Sequence, residues 1–119
     1  MKGGGRRPDQ VAAVVRQVVA ETLLSEMRDP RIGFVTVTSV EVTRDLSHAT
    51  IRVSIMGEET EREATMEGLG RAAGFLRGKV GQALTSRIVP ELHFELDRGQ
   101  EHAARIHQIL EGLREETHD

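Results

Sequence analysis

The chain has 119 residues, a formal net charge of −3, 38% hydrophobic and 29% charged residues, no Cys, no Trp, no Tyr and three Phe. One compact domain accounts for that length, and it can bury a core without staples. The composition excludes a disulfide framework, a thiol nucleophile and a Cys zinc site, and it argues against broad aromatic stacking platforms.

Residues 9–28 read as a helix. Val11, Val15, Val18, Val19, Leu23 and Met27 recur at three- and four-residue steps on one apolar face. Pro8 and Asp9 suit its start, and Asp29-Pro30 its end. Valine is a weak helix former, so tertiary packing must hold this element. Residues 34–43 alternate and are β-branched, but the apolar parity shifts between Val37 and Val40. A bulge near Thr38-Ser39 explains the shift. Arg44-Asp45-Leu46-Ser47 is a turn, and residues 49–56 alternate cleanly, with Ile51, Val53 and Ile55 on one face. The two strands form a hairpin with one buried face.

Gly57 ends the hairpin, and Thr60 to Glu63 has capping-box spacing. Leu69, Ala72, Ala73, Leu76, Val80 and Leu84 continue a helical pattern that glycines at 68, 70, 74, 78 and 81 interrupt. Each glycine costs about 1 kcal/mol in a helix interior, so two helices meeting at a bend near Gly74 are expected. Leu92, Phe94 and Leu96 mark a third strand. Ala103, Ile106, Ile109, Leu110 and Leu113 mark a last amphipathic helix, followed by a polar tail. The expected class is α+β, a three-stranded sheet with helices on one face. Residues 1–8 form a flexible basic N-terminus, 9–114 the single domain, and 115–119 the tail.

Charge is unevenly distributed. Residues 58–70 hold Arg62 against five glutamates, whereas residues 71–90 hold Arg71, Arg77, Lys79 and Arg87 with no acid. Residues 91–119 are strongly acidic again. Such blocks concentrate field on one face even when the total is negative. A bend at Ala72, Ala73 and Gly74 would expose backbone N–H groups to a phosphate. The competing reading is a tight helix crossing with solvated charges. Gly78-Lys79-Val80-Gly81 matches a nucleotide-clamping G-x-x-G loop, but it leaves too short a helix behind it, so the bend at Gly74 is preferred.

Other chemistries find little support. Gly78-Lys79 lacks the rest of a phosphate loop, and Gly68 to Gly74 is one residue too long for a dinucleotide fingerprint. His102 and His107 lie roughly 140° apart on a helix. His48 and His93 read as single residues on strand edges or outer faces, so no metal is expected. No nucleophile–base–acid constellation can be placed, so no catalytic residue, no cofactor and no enzyme activity are expected. No apolar run approaches the roughly 20 residues of a membrane span, and the N-terminus lacks a secretory signal. A cytoplasmic protein with no membrane partner is expected.

Several blocks carry a family resemblance. They are Arg7-Pro8, Arg28-Asp29-Pro30-Arg31-Ile32-Gly33 and Val42-Thr43-Arg44-Asp45-Leu46-Ser47-His48-Ala49. Ala73-Gly74-Phe75-Leu76-Arg77 and Arg87-Ile88-Val89-Pro90-Glu91-Leu92-His93-Phe94 follow in order. Together they resemble the ribosome-binding factor A family over about residues 6 to 97. The resemblance implies a type II KH-like fold, α-β-β-α-α-β plus a C-terminal helix, with an Ala-x-Gly bend mapping onto Ala72-Ala73-Gly74. It implies binding to the small (30S) ribosomal subunit and 16S rRNA during late maturation, support for processing of the rRNA 5′ end, importance in the cold, and release helped by an assembly GTPase. A monomer is expected. The RNA-binding residues expected are Arg71, Arg77, Lys79 and Arg87, with Arg6, Arg7, Arg28 and Arg31 as a second basic region. The alternative is a protein-interaction module docking through its acidic C-terminal helix.

Overall fold

A computed structural model of the chain describes residues 8–25, 34–85, 88–99 and 110. The elements are α1 (Pro8–Ser25), β1 (Val35–Val42), β2 (His48–Ile55), α2 (Glu59–Ala83) and β3 (Glu91–Leu96). In α1, Val11, Val15, Val19 and Thr22 are buried at the spacing read from the sequence. Arg16 donates to the Val37 carbonyl at 3.3 Å and ties this helix to β1.

β1 and β2 pair antiparallel, with Val37 opposite Val53 and then Ser39 opposite Arg52. Thr38 is the extra residue, so the parity shift is a β-bulge. Its hydroxyl donates to the Asp97 carboxylate at 2.7 Å and lies 3.2 Å from the Arg52 carbonyl oxygen. In the hairpin turn Leu46 adopts φ 64°, a left-handed conformation that its packing against the core holds in place. The Asp45 carboxylate accepts hydrogen bonds from the Ser47 and Thr43 hydroxyls and the Ser47 N–H. These donors lower its pKa to about 2.

At the far end of the hairpin, Gly57 turns the chain at φ 130°, where a Cβ would meet Glu61 at 3.1 Å. That early turn places the cap of α2 two residues ahead of the expected one. Glu58, not Thr60, is the N-cap, and its N–H donates to the Glu61 carboxylate at 3.1 Å. From α2 the chain returns to add β3 parallel to β2, giving the sheet order β1-β2-β3. α1 packs on β1 and α2 on β3, and the two helices touch. Ala49, Ile51, Val53 and Ile55 of the central strand are buried beneath them, with Leu92 from β3. Phe94, Leu96 and Leu23 are partly buried against the same core.

The expected break in the second helical region does not occur. α2 is one helix of 25 residues that runs through Ala72, Ala73 and Gly74. Gly74 has no positive φ, and the G-x-x-G segment 78–81 is helical too. The glycine cost is offset by burial of Thr65, Gly68, Leu69, Ala72, Leu76 and Val80, which form one continuous stripe. Among the described residues nothing lies within 4 Å of a Cβ added at Gly70, Gly74 or Gly78, so none of the described helices crosses α2 there. The expected C-terminal helix and both termini lie outside the described residues, Leu110 apart. The architecture is the expected α+β, KH-like sheet with helices on one face, with one helix where two were expected.

Candidate nucleic-acid interface

Burial of one stripe of α2 dictates what its other side presents. Gly70, Gly74 and Gly78 recur every four residues and make a bare backbone strip opposite the core. Arg71, Phe75 and Lys79 recur at the same interval beside it. Phe75 is 51% exposed, an unusual position for a large apolar ring. The Lys79 ammonium sits 5.5 Å from the centroid of that ring, a cation–π contact between adjacent turns. Among the described residues these give an uncovered backbone strip, a ring face and two cations on one side of α2.

Arg77 is exposed but already engaged. Its guanidinium donates to the Val89 carbonyl at 2.8 Å and fastens α2 to the segment entering β3. It therefore works first as a strut, with only its remaining N–H groups available to a phosphate. Ala72 is 9% exposed and belongs to the core, and Ala73 is half-buried. Of the three expected bend residues, only Gly74 reaches the exposed side. Arg6, Arg7, Arg28, Arg31 and Arg87 lie outside the described residues.

Charge along α2 is polarised. Glu59 and Glu61 occupy the first turn, where the helix dipole favours acids. The Glu59 carboxylate, paired with Arg98 at 2.6 Å, is held below its ordinary pKa by that bond and by Arg62 nearby. The basic half follows on the same helix. Negative charge is thus concentrated at the start of α2 and positive charge in its later turns.

Sequence reasoning did not single out Phe75 as an exposed ring beside the basic residues, because it used the low aromatic content as a whole-chain argument. The signal was present locally, in the four-residue steps from Arg71 to Phe75 to Lys79. It also read His48 and His93 as separate residues. The structure brings their ring nitrogens to 3.0 Å. An open groove between α1 and β1 is lined by Asp9, Ala12, Ala13, Arg16, Val40, Glu41 and Val42.

The sequence profile of one family, ribosome-binding factor A, matches residues 7–110, nearly all of the chain. The chain belongs to the ribosome-binding factor A family. It is 47% identical over 115 residues to ribosome-binding factor A of Gemmatimonas aurantiaca, covering 96% of this chain and 79% of that one. Its fold matches the crystal structure of ribosome-binding factor A from Thermus thermophilus with a TM-score of 0.68 at 26% identity, over 79% of this chain and 100% of that chain. It also matches coordinates of the T. thermophilus ribosome-binding factor A fitted into a cryo-EM map of a 30S complex. That match has a TM-score of 0.61 at 28% identity, over 72% of this chain and 90% of that one. The ribosome-binding factor A fold thus supplies the frame on which α2 presents its exposed side. Among the described residues no helix is long and apolar enough to cross a membrane.

Proposed function

We propose that this chain is a cytoplasmic, non-catalytic assembly factor that binds the small ribosomal subunit and its 16S rRNA during late maturation and supports processing of the rRNA 5′ end. The observation that carries the reading is the likeness to the T. thermophilus chain fitted into a 30S complex. The exposed side of α2 supplies a physical means. Arg71 and Lys79 neutralise phosphates, the strip at Gly70, Gly74 and Gly78 lets a sugar–phosphate backbone come close, and Phe75 offers a face to an unstacked base. Arg77 contributes through its spare N–H groups. Arg87, Arg6, Arg7, Arg28 and Arg31 extend the basic surface in this reading. Such binding reads shape and charge more than base sequence. The factor acts as a monomer and leaves with the help of an assembly GTPase. Its importance in the cold follows from the greater persistence of misfolded RNA at low temperature.

Cosedimentation with purified small subunits in graded salt tests the proposal. Association should weaken steeply between about 50 and 200 mM salt, as counterion release requires. Salt-insensitive association would overturn the RNA contact and favour a protein docking face such as the acidic C-terminal segment. A deletion strain should accumulate 16S rRNA with an unprocessed 5′ end, most strongly in the cold.

A further inference from the structure

The side of the sheet away from the helices holds a grouping separate from the exposed side of α2. Parallel pairing sets His48 opposite Glu91 and Thr50 opposite His93. Side chains alternate along a strand, so His48, Glu91 and His93 all project from this open side. His48 Nδ1 lies 3.0 Å from His93 Nε2, and the same Nε2 lies 3.9 Å from Glu91 Oε1. One donor atom from each residue falls within 4.8 Å of the other two, and all three residues are exposed.

From this geometry we propose a divalent transition-metal site of the zinc(II) class, held by His48, His93 and Glu91, with a fourth position open to water. A tetrahedral zinc ion holds nitrogen and oxygen donors at about 2.0–2.2 Å, which places any two donors roughly 3.3–3.5 Å apart. The separations of 3.0 and 3.9 Å straddle that span and the third lies within 4.8 Å, so closing on an ion needs side-chain shifts of about half an ångström to somewhat over 1 Å. Two imidazoles and one carboxylate suit zinc and its neighbours. Calcium and magnesium prefer oxygen-only shells.

The backbone around the donors is fixed in advance. The His48 N–H donates to the Thr43 hydroxyl at 3.1 Å, and the Thr43 N–H donates to the His48 carbonyl at 2.9 Å. The Glu91 N–H donates to the Ser47 carbonyl at 2.8 Å. An ion here would cross-link the starts of β2 and β3. The simpler alternative is one hydrogen bond between two neutral imidazoles. It accounts for the short nitrogen separation but assigns no role to the neighbouring carboxylate.

Calorimetric zinc titration of the untagged, metal-free chain is the test, with cobalt(II) absorption to report a low-coordinate nitrogen and oxygen shell. One ion should bind per chain, and zinc should raise the melting temperature. His48→Gln and His93→Gln should each weaken binding by about tenfold or more and abolish the thermal shift. Glu91→Gln should weaken binding less. These positions are exposed, so circular dichroism should show intact folds. A variant with His102→Gln, His107→Gln and His118→Gln should bind as the parent does. Absence of binding to the parent, or binding lost in that triple variant and retained in His48→Gln and His93→Gln, would overturn the site.

Discussion

Replacing Gly70, Gly74 and Gly78 together by Ala separates what these positions do for the fold from what they do for binding. Each lies inside α2, and an added Cβ meets nothing within 4 Å among the described residues. No packing cost therefore opposes the gain in helix propensity, about 1 kcal/mol for each glycine replaced. The triple variant should be more stable by about 2 to 3 kcal/mol. At about 4 °C per kcal/mol for a domain of this size, its melting temperature should rise by roughly 8 to 12 °C. The same three methyl groups stand where an RNA backbone would lie against bare helix. Affinity for small subunits should therefore fall while stability rises. Differential scanning calorimetry and subunit cosedimentation read the two effects separately. A lower melting temperature would refute the account of α2 as a continuous helix with an open glycine strip. Unchanged subunit affinity in the stabilised variant would refute close backbone approach as the use of that strip.

Replacing Arg71 and Lys79 by Ala removes two of the proposed phosphate partners, so the log–log salt slope of subunit binding should become shallower by about 1 to 2 units, measured by cosedimentation across a salt series. Leu76→Ala empties a fully buried position and should cost about 2 to 5 kcal/mol in urea unfolding, with the m-value preserved. The Asp45 pKa is lowered to about 2 in the folded chain, chiefly by the Ser47 and Thr43 hydroxyls. Its stabilising contribution is therefore complete above the ordinary carboxylate range and is lost as pH falls from about 4 towards 2. Asp45→Asn should flatten the loss of melting temperature over that acid window and lower stability at neutral pH.

The bulge at Thr38 could be read from the sequence because inserting one residue exchanges the two faces of a strand, and a row of valines records the exchange. Burial in α1 and β2 was legible for the same reason, from a strict period with one apolar face. α2 was misread because glycine propensity is a local cost, whereas the stripe from Thr65 to Val80 gains its stability from partners elsewhere in the chain. The apolar period ran unbroken through every glycine, and that period decided the structure. The cap moved from Thr60 to Glu58 because the φ 130° turn at Gly57 redirects the chain before the threonine is reached. The histidine pair was not legible. Its members are 45 positions apart and meet only through the parallel register of β2 and β3. No local pattern encodes that register.

The order of strand pairing has a kinetic consequence. β1 and β2 are joined by the short turn at residues 43–47, whereas β2 and β3 are separated by residues 56–90, which include all of α2. Closing the longer connection costs about 2 kcal/mol more in chain entropy. It becomes favourable only once α2 has a surface to lie on, so β3 joins the sheet after the hairpin and α1 have formed. If native-state opening retraces that order, β3 is expected to detach in the lowest-energy partial opening. Amide exchange should then proceed in two tiers. The β2 amides bonded to β1 should exchange only with global unfolding. The Glu91 and Asp97 amides, which close the ends of β3 on the Ser47 and Val53 carbonyls, should exchange sooner. Release of β3 also frees the Val89 segment from Arg77. That opening would return the full guanidinium to the surface of α2.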